Sequence, residues 1–326
     1  MSSNKPVWFL NPWFDLILLT GLPFIFLTPL LNYPVVQVSN ILSYSYVLLN
    51  IPHVASGFSA VYFSQKGKKN NPLIYIGMPF LILVTGMFLF FLKYTLILDA
   101  ARFLVGMWHD FIQHHSILRC TKSLNEDIRK IDKRLDTAAL LAGFSYMPVV
   151  YLNQFVSEKT IGKEMNSIVT HLIKYLIFLI WLIMLVFIAR QIYIFFRRRE
   201  LFLFKISLFI RTFFMYFILP FGIFKDINLS RDAQVLLHNK QYVSWVWLHF
   251  HKQPKDRPTK EYNIMQRLAQ NKNIILYILL ILAMSIGLFL LMKITHFFSI
   301  MAVILAYIHF FFEGIIWKKY RKSFGL

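Results

Sequence analysis

The sequence predicts an all-α protein: a polytopic transmembrane helical bundle of about ten spans, with both termini in the cytoplasm. Three observations predict it. Hydrophobic residues make up 57 % of the chain and charged residues 15 %, against about 45–50 % and about 25 % in ordinary globular domains. Mostly apolar stretches of roughly 20 residues, the length that crosses about 30 Å of hydrocarbon, recur from end to end. The basic residues gather in every second connection between those stretches.

Taken in order, the expected spans are 13–31, 39–63, 72–92, 98–118, 136–155, 167–189, 203–223, 232–251, 273–291 and 297–316. The residues before the first span contain Lys5 but no small-residue cleavage signal, so 13–31 reads as a membrane helix and not a removed leader. The eighth span carries Asn239, Lys240 and Gln241, which fits a helix shielded by its neighbours or one lying partly at the interface.

Charge placement supports this count. Lys66, Lys68 and Lys69 follow span two, and Arg119 to Arg134 follow span four. Arg190 to Lys205 follow span six, Lys252 to Lys272 follow span eight, and Lys318 to Lys322 follow span ten. Together with Lys5 these groups hold 25 of the 35 basic residues, all on one side of the predicted membrane. Positive loops face the cytoplasm, which places this multi-pass chain in a cytoplasmic membrane such as a bacterial inner membrane. The net charge of +20 then serves orientation and anionic lipid headgroups, not nucleic acid, because no basic domain stands clear of the spans. Neither a repeat nor a low-complexity segment divides the chain, so residues 1–326 read as a single transmembrane domain. One cysteine, Cys120, excludes an intramolecular disulfide and a Cys-rich metal site.

The anomaly inside the apolar spans is histidine. Eight of the ten histidines lie in or at the ends of four spans: His53; His109, His114 and His115; His238, His249 and His251; and His309. An ionisable group in hydrocarbon needs a compensating partner, and imidazole is the commonest protein metal ligand. At 100° per residue, His238, Tyr242, Trp245 and His249 share one helix face. Arg102, Gly106, His109 and Gln113 form a second stripe, and Asn50, His53 and Gly57 a third. His309 and Glu313 stand four residues apart, so both can reach one ion. Asp110 and His114 have the same spacing, which suits a carboxylate orienting an imidazole. Reckoned by depth, most of these residues fall in the cytoplasmic half of the membrane, with His238 about 5 Å outside the midplane.

This pattern points to a metal held by His53, His109, His249, His309 and Glu313, with His114, His115 and His238 as further ligands. Asp110, Gln113 and Tyr242 would orient ligands or handle protons at the catalytic centre. His171, His251 and His296 lack a supporting polar stripe and read as interhelical or interfacial residues. Imidazole with carboxylate and no thiolate suits iron, zinc, copper or manganese. Paired histidines on separate helices would also suit haem or a quinone, and a His–Glu relay would suit a proton-coupled transporter.

The stretch Trp108-His109-Asp110-Phe111-Ile112-Gln113-His114-His115 resembles the histidine boxes of the integral-membrane fatty-acid desaturase and hydroxylase superfamily. In layout, with one or a few histidines per span, the chain is also similar to membrane-embedded carotenoid-cleaving oxygenases. The resemblance implies a non-haem diiron centre with His109, His114 and His115 among its ligands. It further implies an oxygen-dependent oxidation of a lipid-like substrate (desaturation, hydroxylation or cleavage) and an electron-donor protein as partner. GxSxG, HExxH and phosphate-loop motifs do not occur, and Asp132 with Asp136 reads as part of a solvated loop.

Overall fold

The computed structural model describes residues 8, 10–21, 50, 52–54, 56–58, 71–122, 130–158, 163–198, 203–223, 227–251, 274–294 and 296–323. Every regular element among them is helical, as the composition predicts. In chain order they are α1 (Phe14–Leu19), α2 (Leu73–Gly77 continuing through Met78–Phe91) and α3 (Thr95–Lys122). Next come α4 (Lys130–Glu158), α5 (Lys163–Arg198), α6 (Leu203–Phe213 continuing through Phe214–Ile223) and α7 (Ile227–His251). The last are α8 (Ile274–Ile294) and α9 (His296–Ser323). Residues 52–54 and 56–58 are also helical.

Two described helices are long and apolar enough to cross a membrane, Leu73–Phe91 and Ser167–Arg197, with mean hydropathies of 2.3 and 2.7. Only 11 % and 22 % of these stretches are buried within the protein, unlike the core helix of a soluble domain. Leu73, Phe80, Phe88 and Phe91 on α2 and Ile168, Phe178, Leu185 and Phe196 on α5 all face outward. Val303–Trp317 is a shorter apolar helix. The described residues therefore do not reach the expected ten spans. The spans expected at 13–31 and 39–63 lie partly outside the described residues. Those at 98–118, 136–155 and 232–251 are helical but interrupted by carboxylates, imidazoles and amides.

The chain divides into two compact units, each built from two separated stretches: Met1–Val35 with Ile117–Gln234, and Val36–Ser116 with Val235–Leu326. In the first unit α4 packs lengthwise on α5, and both stretches of α6 lie against α4. Aromatic rings fill these contacts. Tyr146 stacks on Phe217 with centroids 4.0 Å apart, Trp181 meets Phe217 edge-on at 5.2 Å, and Phe187 lies 4.2 Å from Phe209. From Phe214 onward α6 widens to π-helical turns, around a segment that contains Pro220. The Met215 carbonyl there accepts a 2.8 Å hydrogen bond from the buried Gln234 amide. Two ion pairs cross between helices: Lys205 Nζ lies 2.6 Å from Asp136 Oδ1, and Arg190 Nε lies 2.7 Å from Asp132 Oδ1. The sequence reading put Asp132 and Asp136 in solvated loop, yet both are buried. Both lie in the first two turns of α4, where each meets a basic side chain of a neighbouring helix, and that pairing makes burial tolerable.

In the second unit α9 packs against both α2 and α8. Gly86 of α2 allows that approach, because a Cβ there would lie 2.9 Å from Ile304 of α9. Phe312 of α9 stacks over Tyr75 with centroids 6.3 Å apart, and the Tyr307 hydroxyl donates to the Leu98 carbonyl of α3. These contacts fix the register of α9, and with it the heights of His309 and Glu313.

A candidate metal centre

All the imidazoles that converge belong to the second unit. His53 comes from the helical residues 52–54, His109 from α3, His238 from α7 and His309 from α9. Each is no more than 5 % exposed. Their Nε2 atoms meet in sequence. His309 Nε2 is 2.8 Å from His53 Nε2, His53 Nε2 is 3.2 Å from His109 Nε2, and His109 Nε2 is 2.9 Å from His238 Nε2.

These distances can be tested against hydrogen bonding. A neutral imidazole Nε2 carries either a proton or a lone pair, never both. The Nε2 atoms of His53 and His109 each face two other Nε2 atoms, so the chain cannot be a run of ordinary two-centre hydrogen bonds. A cation beside these lone pairs would remove the conflict. With metal–nitrogen bonds of about 2.0–2.1 Å, neighbouring ligand atoms stand about 3.3 Å apart in a tetrahedron and about 2.9 Å apart at right angles. The three observed spacings lie in the range of ligand edges, with His53, His109 and His309 in one group and His238 joined to it through His109.

The outward nitrogens meet carboxylates. His109 Nδ1 lies 2.8 Å from Glu313 Oε2, and His238 Nδ1 lies 3.1 Å from Asp110 Oδ1. Both are close ion-pair contacts and not straight hydrogen bonds, and each carboxylate favours a proton on Nδ1. That tautomer leaves the lone pair on Nε2, where it turns toward the centre. Glu313 Oε2 also accepts from Trp317 Nε1 at 3.2 Å, while Glu313 Oε1 lies 3.8 Å from His309 Nε2. Among the described residues His53, His109, His309 and Glu313 form one group whose ligand atoms all fall within 4.8 Å of one another. His109, Asp110 and His238 form a second, so His109 is common to both. This buried cluster is a donor set that can bind a metal ion.

Aromatic rings enclose it. Phe310 lies 4.4 Å from the His109 ring, and Tyr242 packs on His53 at 4.4 Å and His309 at 5.3 Å. Trp245 and Trp317, both fully buried, lie tilted against each other with centroids 5.8 Å apart. Gln113 Nε2 donates to Gln241 Oε1 at 3.0 Å and to the His238 carbonyl at 3.3 Å, tying α3 to α7 beside the cluster.

Four of the residues expected nearest a metal are thus together: His53, His109, His309 and Glu313. His238 joins them despite its expected depth. His249 does not. It shares a helix face with His238, but 11 residues of rise separate the two by about 16 Å. His114 is buried, and its Nδ1 pairs with the Asp110 backbone carbonyl at 2.9 Å. The Asp110 carboxylate stands 3.1 Å from His238 Nδ1, a partner the four-residue spacing to His114 did not suggest. His115 stacks on Phe111 at 5.6 Å, away from the converging nitrogens. His171 is exposed and pairs with the Ser167 carbonyl. The side chains of Arg102 and His296 lie outside the described set. Trp317 and Gln241 were not singled out as site residues from the sequence. Their signals were the four-residue spacing of Glu313 and Trp317 and the three-residue spacing of His238 and Gln241.

Comparison of the chain with protein-family models, with curated proteins and with solved structures gives no match.

Proposed function

We propose that this protein is a metal-dependent membrane oxidoreductase that uses dioxygen on an apolar, lipid-like substrate. The observation that carries the proposal is the convergence of four imidazole Nε2 atoms at 2.8–3.2 Å. The oriented carboxylates behind two of them support it. The two candidate groups meet at His109, so they can serve one ion or two neighbouring ions. Iron, as in the diiron expectation, is the leading assignment; zinc, copper and manganese also suit imidazole and carboxylate donors. Iron held there would supply one-electron and dioxygen chemistry.

The chain's own residues would do the rest. His53, His109, His238 and His309 hold the ion, while Asp110 and Glu313 fix the tautomers of His238 and His109. Tyr242 places a hydroxyl beside the His53 and His309 rings, where it can deliver or accept a proton. Phe310, Trp245 and Trp317 keep water from the centre. Gln113 holds α3 and α7 in register. A lipid substrate and an electron-donor protein are the partners this chemistry requires.

Membrane residence is part of the same proposal. The outward-facing apolar side chains of α2, α5 and α8 support it, as do the alternating positive loops. On this reading further helices cross beyond the two that are apolar throughout, with polar faces turned inward around the cluster. A bis-histidine haem is a poorer reading, since axial nitrogens on one iron stand about 4 Å apart, twice a metal–nitrogen bond.

The test is elemental analysis and a visible spectrum of full-length protein purified in mild detergent. About one or two irons per chain are expected, without a Soret band, and His109→Ala and His309→Ala should lose them. His249→Ala should retain them. Protein that holds no transition metal, even after reloading with Fe(II), would leave a proton relay as the better account of the cluster.

A further inference from the structure

Gly57 stands four residues after His53, on the same helix face, and looks directly at the cluster. A Cβ built there would lie 2.7 Å from His309 Cε1, closer still to His309 Nδ1, and 3.1 Å from the Tyr242 hydroxyl. Contacts under 3.0 Å are essentially never made by real Cβ atoms. A flexible chain end could swing away, but the His309 ring has no such freedom. It is 1 % exposed, packs edge-on against His53 with centroids 4.3 Å apart, and brings its Nε2 to 2.8 Å from His53 Nε2. Glycine also weakens a helix relative to alanine, so its presence on this face runs against local helix stability.

We propose that Gly57 is a positioning residue of the metal centre: its bare Cα is the seat that lets the His309 imidazole reach His53 and complete the donor set. The inference rests on the metal-binding reading above and deepens it. Any side chain at position 57 would displace the His309 ring and distort its contact with the ion. Tyr242, whose hydroxyl borders the same space, would be displaced with it. The effect on the metal should therefore exceed what helix propensity predicts, and have the opposite sign to the effect on helix stability.

The experiment is a Co(II) titration of the full-length protein in detergent, read by the ligand-field absorption of the bound ion. Wild type should bind Co(II) with a defined spectrum. Gly57→Ala should bind about 10–100-fold more weakly, the range for losing a group that orients a ligand, and with shifted bands. Gly287→Ala, where a Cβ meets nothing within 4 Å, should match wild type in both. A Gly57→Ala protein with unchanged affinity and spectrum overturns the proposal. If Gly57→Ala lowers the melting temperature, the same change is made in a His309→Ala background, where it should do no further harm. Equal harm there would show that the clash is not with His309, and would also overturn it. A wild type that takes up no Co(II) defeats the metal reading itself, before any variant is compared.

Discussion

The two units bury polar side chains in opposite ways. In the first, Lys205 with Asp136 and Arg190 with Asp132 meet as opposite charges. In the second, four imidazoles face one another through the same kind of nitrogen, and their carboxylates stand on the outer side. Opposite charges neutralise each other, whereas converging imidazoles make a donor set that can bind a metal ion. The same physical demand, that polar groups in an apolar interior be satisfied, yields a charge-paired clamp in one case and a ligand set in the other.

The largest effect that sharpens this contrast is on stability, in the first unit. Lys205→Ala should strand the Asp136 carboxylate, which is fully buried, and lower stability by about 3–5 kcal/mol. Replacing both partners together, as Lys205→Met with Asp136→Leu, should recover most of that loss, because two desolvated charges vanish along with their attraction. Denaturation of the detergent-solubilised variants, followed by circular dichroism, checks this. Metal content per folded chain should stay at the wild-type value throughout. A double variant as unstable as Lys205→Ala would mean that the pair has a role beyond mutual neutralisation.

A smaller effect belongs to the carboxylates of the second unit. Asp110→Asn and Glu313→Gln keep shape but weaken the preference for a proton on Nδ1 of His238 and His109. Each should reduce metal affinity about 10–100-fold while the fold persists. Competition against a chelator of known affinity measures the change. If Glu313→Gln instead abolishes binding as completely as His309→Ala, Glu313 Oε1 is itself a ligand, for which its 3.8 Å distance from His309 Nε2 leaves room.

How much of this was legible beforehand depended on whether the relevant geometry was local. Helical fold class followed from composition and from the length of the apolar runs. His53 and His109 were visible because each sits on a polar stripe in an otherwise apolar helix, and His309 with Glu313 was visible from its four-residue spacing. His249 was misplaced because an angular match along α7 ignores axial rise. His238 was underrated for a related reason: depth counted at about 1.5 Å per residue assumes upright helices, and tilt easily absorbs a 5 Å mismatch. The pairing of Asp110 with His238, far apart in the chain, had no local signature at all. Asp132 and Asp136 looked solvated because their basic partners, Arg190 and Lys205, come from helices whose packing on α4 is not written in any short motif.

The smallest expected effect tests the same contrast at its weak end. Arg190 is a quarter exposed, and its paired Asp132 is nearly buried. Solvent screens the guanidinium, so Arg190→Ala should lower stability by only about 0.2–1 kcal/mol, well below Lys205→Ala, although Arg190 makes two contacts at 2.7 and 3.3 Å. Lost packing against Tyr193, over which the guanidinium sits at 5.1 Å, adds to that figure and is separable with Arg190→Lys, which retains the charge but loses the planar fork. Raising ionic strength should diminish the Arg190 contribution and leave that of Lys205 unchanged, since salt reaches the first pair and not the second. Equal salt sensitivity of the two would mean that the Lys205–Asp136 pair is wetted, and the distinction between a sealed clamp and a surface ion pair within this unit would fail.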